Sequence, residues 1–141
     1  MPTQAETRRL LKKAFGREAD HIRLLQRTRD QWLLPLVDLG FVVGYHPRTL
    51  HHKVRNNAET FGGETFLFYE DDKGTPHVSR ETRRGDVAQR GREAQLRCIT
   101  PGAALGLVLM LSAERITDKG RIKNLVVLQR RIMNVLARGV Q

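Results

Sequence analysis

The chain opens with charged and apolar positions arranged at helical spacing. Thr3 followed by Glu6 is a capping-box pattern, and Gly16 offers a natural helix end. The apolar positions between them recur every three or four residues: Leu10, Leu11, Ala14 and Phe15. This spacing predicts a short amphipathic helix. Ala19, Ile22 and Leu25 continue the pattern and predict a second helix over Arg17 to Asp30.

From Trp32 the pattern changes to the apolar run WLLPLVDLGFVVGY. Because Pro35 interrupts any helix, we expect a buried strand or extended piece over Trp32 to Val37. Asp38 is a suitable N-cap for a short helix from Leu39 to Val43, which Gly44 would end.

The next stretch, GYHPRTLHHKVRNN, is polar and basic but contains one aliphatic pair at helical spacing. Pro47 is favoured at the first position of a helix, which we expect to run to about Ala58. Leu50 and Val54 would face inward, because they are four residues apart. Two helices joined by a tight glycine-containing turn form a helix-turn-helix.

Strand patterns follow. Thr65 to Tyr69, the turn EDDKG and Pro76 to Arg80 predict a β-hairpin, and Leu96 to Ile99 predicts a further short strand. The segment Arg80 to Arg97 has six arginines, three acids and little apolar patterning, so we expect a mobile loop or a poorly packed helix.

The carboxyl-terminal part is helical by pattern. Thr100 is a cap candidate before Pro101, and Ala103 to Leu111 is apolar nearly all round, which predicts a core helix. After a break at Asp118 to Gly120, a long amphipathic helix is expected. The predicted fold is α+β, a helix-turn-helix with a β-hairpin wing, packed on carboxyl-terminal helices. Residues 1–31 would form an amino-terminal helical extension and residues 32–141 the winged-helix-like domain.

Charge adds a functional expectation. The 141 residues include 25 Lys and Arg and 15 Asp and Glu, which gives a formal net charge of +10. Such a charge attracts polyanions. The lone Cys98 cannot form an internal disulfide or supply the thiolates of a structural zinc site. No apolar run reaches the roughly 20 residues that span a bilayer. We therefore expect a cytoplasmic protein without a membrane partner.

The basic helix carries the candidate DNA contacts. In a helix-turn-helix, outward Arg can pair with guanine, Asn with adenine, and Lys or His with phosphate. The candidates on the helix are Arg48, Thr49, His51, His52, Lys53, Arg55 and Asn56. In the wing, Lys73 and Arg80 would contact the DNA backbone, provided that the acids Glu70 to Asp72 turn away.

Other chemistry is less favoured. His51 and His52 diverge by about 100° on a helix, which argues against a shared metal ion. Ser79 and Ser112 have no evident His and acid partners, and Cys98 lies in an apolar strand where a thiol is usually packing material. Phe66 and Phe68 could stack on bases, but their alternation is more typical of a buried face. We expect no catalysis, no cofactor and no metal.

These residues resemble the amino-terminal DNA-binding domain of BRO-type phage and viral antirepressors. Seven positions stand in the order of that family: Trp32, Asp38, Leu39, Gly44, Tyr45, Leu50 and Val54. ITPGAALGLVLMLS, Ile99 to Ser112, is similar to its apolar helix segment. The two predicted helices before Trp32 lie outside the resemblance. The resemblance implies a winged-helix-like DNA-binding module of phage or mobile-element origin, with Arg48, His51, His52, Lys53 and Arg55 as contacts.

The sequence thus predicts a phage-type transcription regulator that binds double-stranded DNA in the cytoplasm of a bacterial host. The alternative is a small phage factor whose basic surface binds host RNA polymerase and inhibits or redirects transcription. A third interpretation is an RNA-binding or ribosome-associated protein, which would prefer RNA over duplex DNA.

Overall fold

A computed structural model describes residues 3–29, 31–80, 96–112 and 119–139. It is a mixed α+β structure, as predicted. In chain order the elements are α1 (Gln4–Phe15), a 3-10 helix (Gly16–His21), β1 (Leu25–Thr28), β2 (Gln31–Pro35), α2 (Leu36–Val43), α3 (Pro47–Asn56), α4 (Ala58–Phe61), β3 (Thr65–Glu70), β4 (Pro76–Arg80), β5 (Leu96–Ile99), α5 (Pro101–Leu109) and α6 (Lys119–Gly139).

Helix α1 begins and ends where its sequence predicts. The Thr3 side chain accepts a hydrogen bond from the Glu6 N–H, which satisfies one of the free amides of the first turn. Gly16 follows the helix with a φ of 65°, a conformation that residues with a side chain rarely adopt. Leu11 and Phe15 are buried against the core.

The prediction of a second helix over Arg17 to Asp30 is wrong. Only a 3-10 helix follows α1, and Leu25–Thr28 is a strand that pairs antiparallel with β2. The Arg8 guanidinium donates to the backbone oxygens of Ala19 (2.8 Å) and Ile22. These bonds satisfy carbonyls beyond the point where the helix stops, and pairing with β2 supplies the backbone partners of β1.

The strands form one antiparallel sheet in the order β1-β2-β5-β3-β4. The hairpin of β3 and β4 and the short strand β5 confirm the prediction. A strand was predicted over Trp32 to Val37. The observed strand, Gln31–Pro35, ends earlier because Leu36 already begins α2. Pro35 is the last residue of β2, opposite Cys98, and has no N–H to donate to a strand partner.

Alternation along the strands divides the buried residues between two faces of the sheet. Leu34 and Ile99 belong to the main core under the helices, whereas Leu33, Phe66, Phe68 and Cys98 form a smaller cluster on the other side. This confirms the buried interpretation of the two phenylalanines. Burial raises the pKa of Cys98 to about 12, so its thiol stays protonated and unreactive at neutral pH.

Helices α5 and α6 close the main core. Leu105, Leu107 and Val108 of α5 are almost fully buried, which confirms the prediction of a core helix. The Gln129 amide of α6 donates to the backbone oxygens of Val108 (3.0 Å), in the last turn of α5, and of Leu111 (2.9 Å), just beyond that helix. Thr100 stands before α5 but makes no side-chain cap, because its hydroxyl donates to Glu64 Oε2 at 2.6 Å.

The main core contains side chains from both predicted segments, residues 1–31 and residues 32–141. Leu11, Phe15 and Ile22 lie in the same cluster as Leu50 and Ile132. The domain boundary after residue 31 stays a prediction. The loop or helix predicted over Arg80 to Arg97 falls mostly outside the described residues, as does Asp118 of the predicted break. The rest of that break is wrong, because Lys119 and Gly120 are helical and begin α6.

Candidate nucleic-acid interface

The turn between α2 and α3 is built on two glycines. Gly44 ends α2 in the left-handed conformation, with a φ of 83°, as its position predicted. The backbone N–H groups of Gly44 and Tyr45 both donate to the Gly40 carbonyl, at 2.8 and 3.0 Å. A β-carbon placed on Gly40 would lie 2.5 Å from the backbone carbonyl oxygen of Tyr45. Glycine at position 40 therefore allows the close approach that joins the two helices.

The Tyr45 side chain holds this turn to the carboxyl-terminal part of the chain. It is buried, and its hydroxyl donates to the Ser112 backbone oxygen just beyond α5. Tyr45 is one of the residues on which the BRO resemblance depends. Its observed role is structural, since it ties the turn to the core.

Asp38 does not cap α2 as predicted. Helix α2 begins at Leu36 after Pro35, and Asp38 lies within its first turn. The carboxylate accepts from the Arg23 backbone N–H (2.9 Å), Nε (3.0 Å) and Nη2 (3.1 Å). Hydrogen bonding to Asp38 raises the pKa of Arg23, which stays charged. The Asp38 carboxylate is thus paired with Arg23 within the protein.

Helix α3 begins with an unexpected cap. His46 occupies the N-cap, and its Nδ1 accepts from the Arg48 backbone N–H at 3.1 Å. Pro47 takes the first helical position, as predicted. Leu50 and Val54 are buried in the main core, which confirms the inward pair and fixes which side of α3 faces outward.

The structure brings the predicted residues of α3 to its outward sides. Arg48, His52, Arg55 and Asn56 are exposed, and Thr49, His51 and Lys53 are partly buried. The helix contains no acidic residue. Within the described part of the chain, none of its three cations, Arg48, Lys53 and Arg55, makes an ion pair. The positive charge of α3 is therefore available to an anionic partner.

A cation that was not among the candidates predicted from the sequence lies beside this helix. Arg97 of β5 lines a depression of about 250 Å³ together with Arg48, His51 and Val37. Arg97 is exposed because it alternates with the inward-facing Cys98. That alternation was visible in the sequence, but only the sheet order brings β5 to the amino-terminal end of α3.

The hairpin tip contains the candidate Lys73. Asp71 accepts from the backbone N–H groups of Lys73 and Thr75, both at 2.9 Å, and pairs with His77 at 3.0 Å. The hydrogen bond from His77 and those from the turn lower the pKa of Asp71 below its ordinary value. This acid is thus directed into its own turn, whereas Glu70 and Asp72 stay exposed beside Lys73.

The wing role of the hairpin stays a prediction. Among the described residues, α3 packs chiefly on α2, α4 and α5, and the hairpin pairs with β5. The Arg80 backbone pairs with Phe66, but its side chain lies outside the description. Among the described element contacts, none therefore places the hairpin that contains Lys73 against α3.

Two other kinds of site are absent from the described ranges. No group of three or more His, Cys, Asp or Glu side chains there could hold a metal ion, and the His51 and His52 rings are 6.2 Å apart and tilted. Among those residues, no helix is both long and apolar enough to cross a bilayer.

Comparison with known proteins gives no relative: no protein-family model, no curated protein and no solved structure matches this chain. The similarity to BRO-type antirepressors therefore stays a prediction from sequence.

Proposed function

We propose that this protein binds double-stranded DNA through the outward sides of α3 and regulates transcription without catalysing a reaction. One observation carries the proposal: α3 has three cations and no acid, and its inward side is anchored by Leu50 and Val54. An anchored helix with unpaired cations can present the same side chains to each phosphate backbone it meets.

In this proposal α2 and α3 form the helix-turn-helix of a phage-type, BRO-like regulator in a bacterial cytoplasm, and β3 and β4 form its wing. Arg48 and Arg55 contact guanine or phosphate, Asn56 contacts adenine, and Lys53 and the histidines contact phosphate. Arg97 adds a phosphate contact beside Arg48. Lys73 contacts the backbone only where Glu70 and Asp72 face away from it.

Salt dependence is the first test. Phosphate neutralisation releases counterions, so the affinity for a labelled DNA duplex should fall steeply between about 50 and 200 mM salt. Fluorescence anisotropy at several salt concentrations measures this. If no salt-sensitive binding occurs even at about 50 mM, the DNA proposal is rejected.

The interface is tested with a charge-matched pair of variants. Arg48→Ala with Arg55→Ala should weaken duplex binding by about ten- to a hundredfold and reduce the salt slope by about 2, because two phosphate or base contacts are lost. Lys12→Ala with Arg17→Ala removes the same charge from exposed positions of α1 and the 3-10 helix and should change affinity less than about threefold. Equal effects of the two pairs would place the interface elsewhere.

The alternative function is binding to host RNA polymerase. Acidic protein surface would then meet the same unpaired cations. A pull-down from host lysate after nuclease treatment separates the two functions. Polymerase that stays bound to the wild type but not to the Arg48 and Arg55 double variant supports the alternative. Duplex DNA that the bound protein protects from nuclease, with no polymerase present, supports the DNA proposal. A preference for RNA over duplex DNA supports the RNA interpretation.

A further inference from the structure

A second basic surface lies between α1 and α6. The two helices border a groove of about 510 Å³, which we call the α1–α6 groove. Arg9 and Lys13 project from α1 at i and i+4, and Arg131 and Arg138 project from α6 at i and i+7. These spacings place each pair on one side of its helix. Four cations therefore converge on one groove that the DNA proposal does not use.

The charge in this groove is not neutralised within the described chain. Glu6 is the only acid among the residues that line it, and none of the four cations forms an ion pair with a described residue. Arg131 lies over the carboxyl end of α1: a β-carbon on Gly16 would be 2.6 Å from its Nη1. The partial negative charge of a helix end favours a cation there.

The floor of the groove is apolar. Leu10 and Val135 line it and are only partly buried, between the two rows of cations. From Glu6 to Lys13 and from Arg131 to Arg138 each helix advances about 10 Å, which is two helical turns. The groove thus combines one apolar side chain from each helix with cations spread over about two turns of both helices.

We propose that the α1–α6 groove binds an acidic amphipathic helix of a partner protein. Such a helix would place apolar side chains on Leu10 and Val135 and carboxylates beside Arg9, Lys13, Arg131 and Arg138. A phosphate backbone fits less well, because it has no apolar group to cover Leu10 and Val135. This surface is separate from α3, so the proposal holds or fails independently of DNA binding.

The probe is a labelled synthetic peptide of about 14 residues, with Glu and Leu on adjacent helical stripes and Ala elsewhere. A peptide of the same composition in scrambled order, and a labelled DNA duplex, are the comparison ligands. At about 50 mM salt the full-length protein should bind the amphipathic peptide at least about tenfold more tightly than the scrambled one. No saturable binding, or equal binding of the two peptides, overturns the proposal.

Variants locate the site. Arg9→Ala with Arg131→Ala should weaken peptide binding about tenfold, whereas Lys12→Ala with Arg17→Ala, which removes equal charge outside the groove, should change it less than about twofold. The Arg48 and Arg55 double variant should bind the peptide normally. Equal loss in the groove and control pairs overturns the proposal. Duplex binding that depends on Arg9 and Arg131, while peptide binding does not, assigns the groove to nucleic acid and also overturns it.

Discussion

Individual arginines in this protein have different partners, which the total charge conceals. Arg8 donates to two backbone oxygens, Arg23 is bound by Asp38, and the Arg27 guanidinium lies 4.3 Å from the centre of the Phe66 ring. These three stabilise the fold. Arg48 and Arg55 make no ion pair with a described residue. The count of 25 Lys and Arg therefore overstates the number of cations offered to a partner.

Arg8 and Arg9 provide a test at the residue scale, because they are adjacent and carry equal charge. Arg8→Ala should lower the free energy of unfolding by about 1–3 kcal/mol, since it removes the donor that the Ala19 and Ile22 carbonyls share. Arg9→Ala, at an exposed position, should change it by less than about 0.5 kcal/mol. Urea unfolding followed by Trp32 fluorescence measures both. Similar losses would mean that the two carbonyls do not depend on Arg8.

At the scale of the elements, short-range signals located α1, α3 and the β3–β4 hairpin. Thr3, Pro47 and Gly44 act on their own neighbours, so their effect could be predicted. β1 was mistaken for helix because Ala19, Ile22 and Leu25 fit a helical period. Strand pairing with β2, in which Leu25 lies opposite Leu33, overrode that local preference.

The α2–turn–α3 element can be tested at Gly40. A β-carbon there would lie 2.5 Å from the Tyr45 carbonyl, so Gly40→Ala should cost about 1–3 kcal/mol of stability. The matched control is Gly102→Ala in α5, where a β-carbon meets open space, and it should be neutral or stabilising by up to about 1 kcal/mol. Chemical denaturation compares the two. If Gly40→Ala is as mild as the control, the close approach of α2 and α3 is incorrect.

At the scale of the whole molecule, the amino-terminal segment and the remainder share one core. Leu11, Phe15 and Ile22 pack with residues of α2, α3, α5 and α6. Helix α1 also forms one side of the α1–α6 groove. Residues 1–31, predicted to be an amino-terminal helical extension, therefore contribute buried side chains to the core and one side of a proposed binding surface.

Removal of residues 1–22 tests this dependence. The truncated chain should lose cooperative thermal unfolding, because it exposes the apolar surface that Leu11, Phe15 and Ile22 now cover. Thr3→Ala is the mild control, which removes only the N-cap bond and costs about 1 kcal/mol. Circular dichroism melts measure both. A truncated chain that melts cooperatively near the wild-type temperature would support a separable extension.

The sequence by itself determined the α+β class, the ends of α1, the inward pair of α3 and the cationic character of that helix. These depend on residues within one or two turns of each other, which local chemistry governs. Only the tertiary structure decided that Leu25–Thr28 is a strand, that Asp38 binds Arg23, that Arg97 lies beside Arg48, and that Arg9 and Arg131 face one groove. The strand Leu25–Thr28 depends on pairing with its neighbour β2, and the other three join residues at least 15 positions apart. The free energy of such contacts comes from burial and pairing that no local pattern encodes.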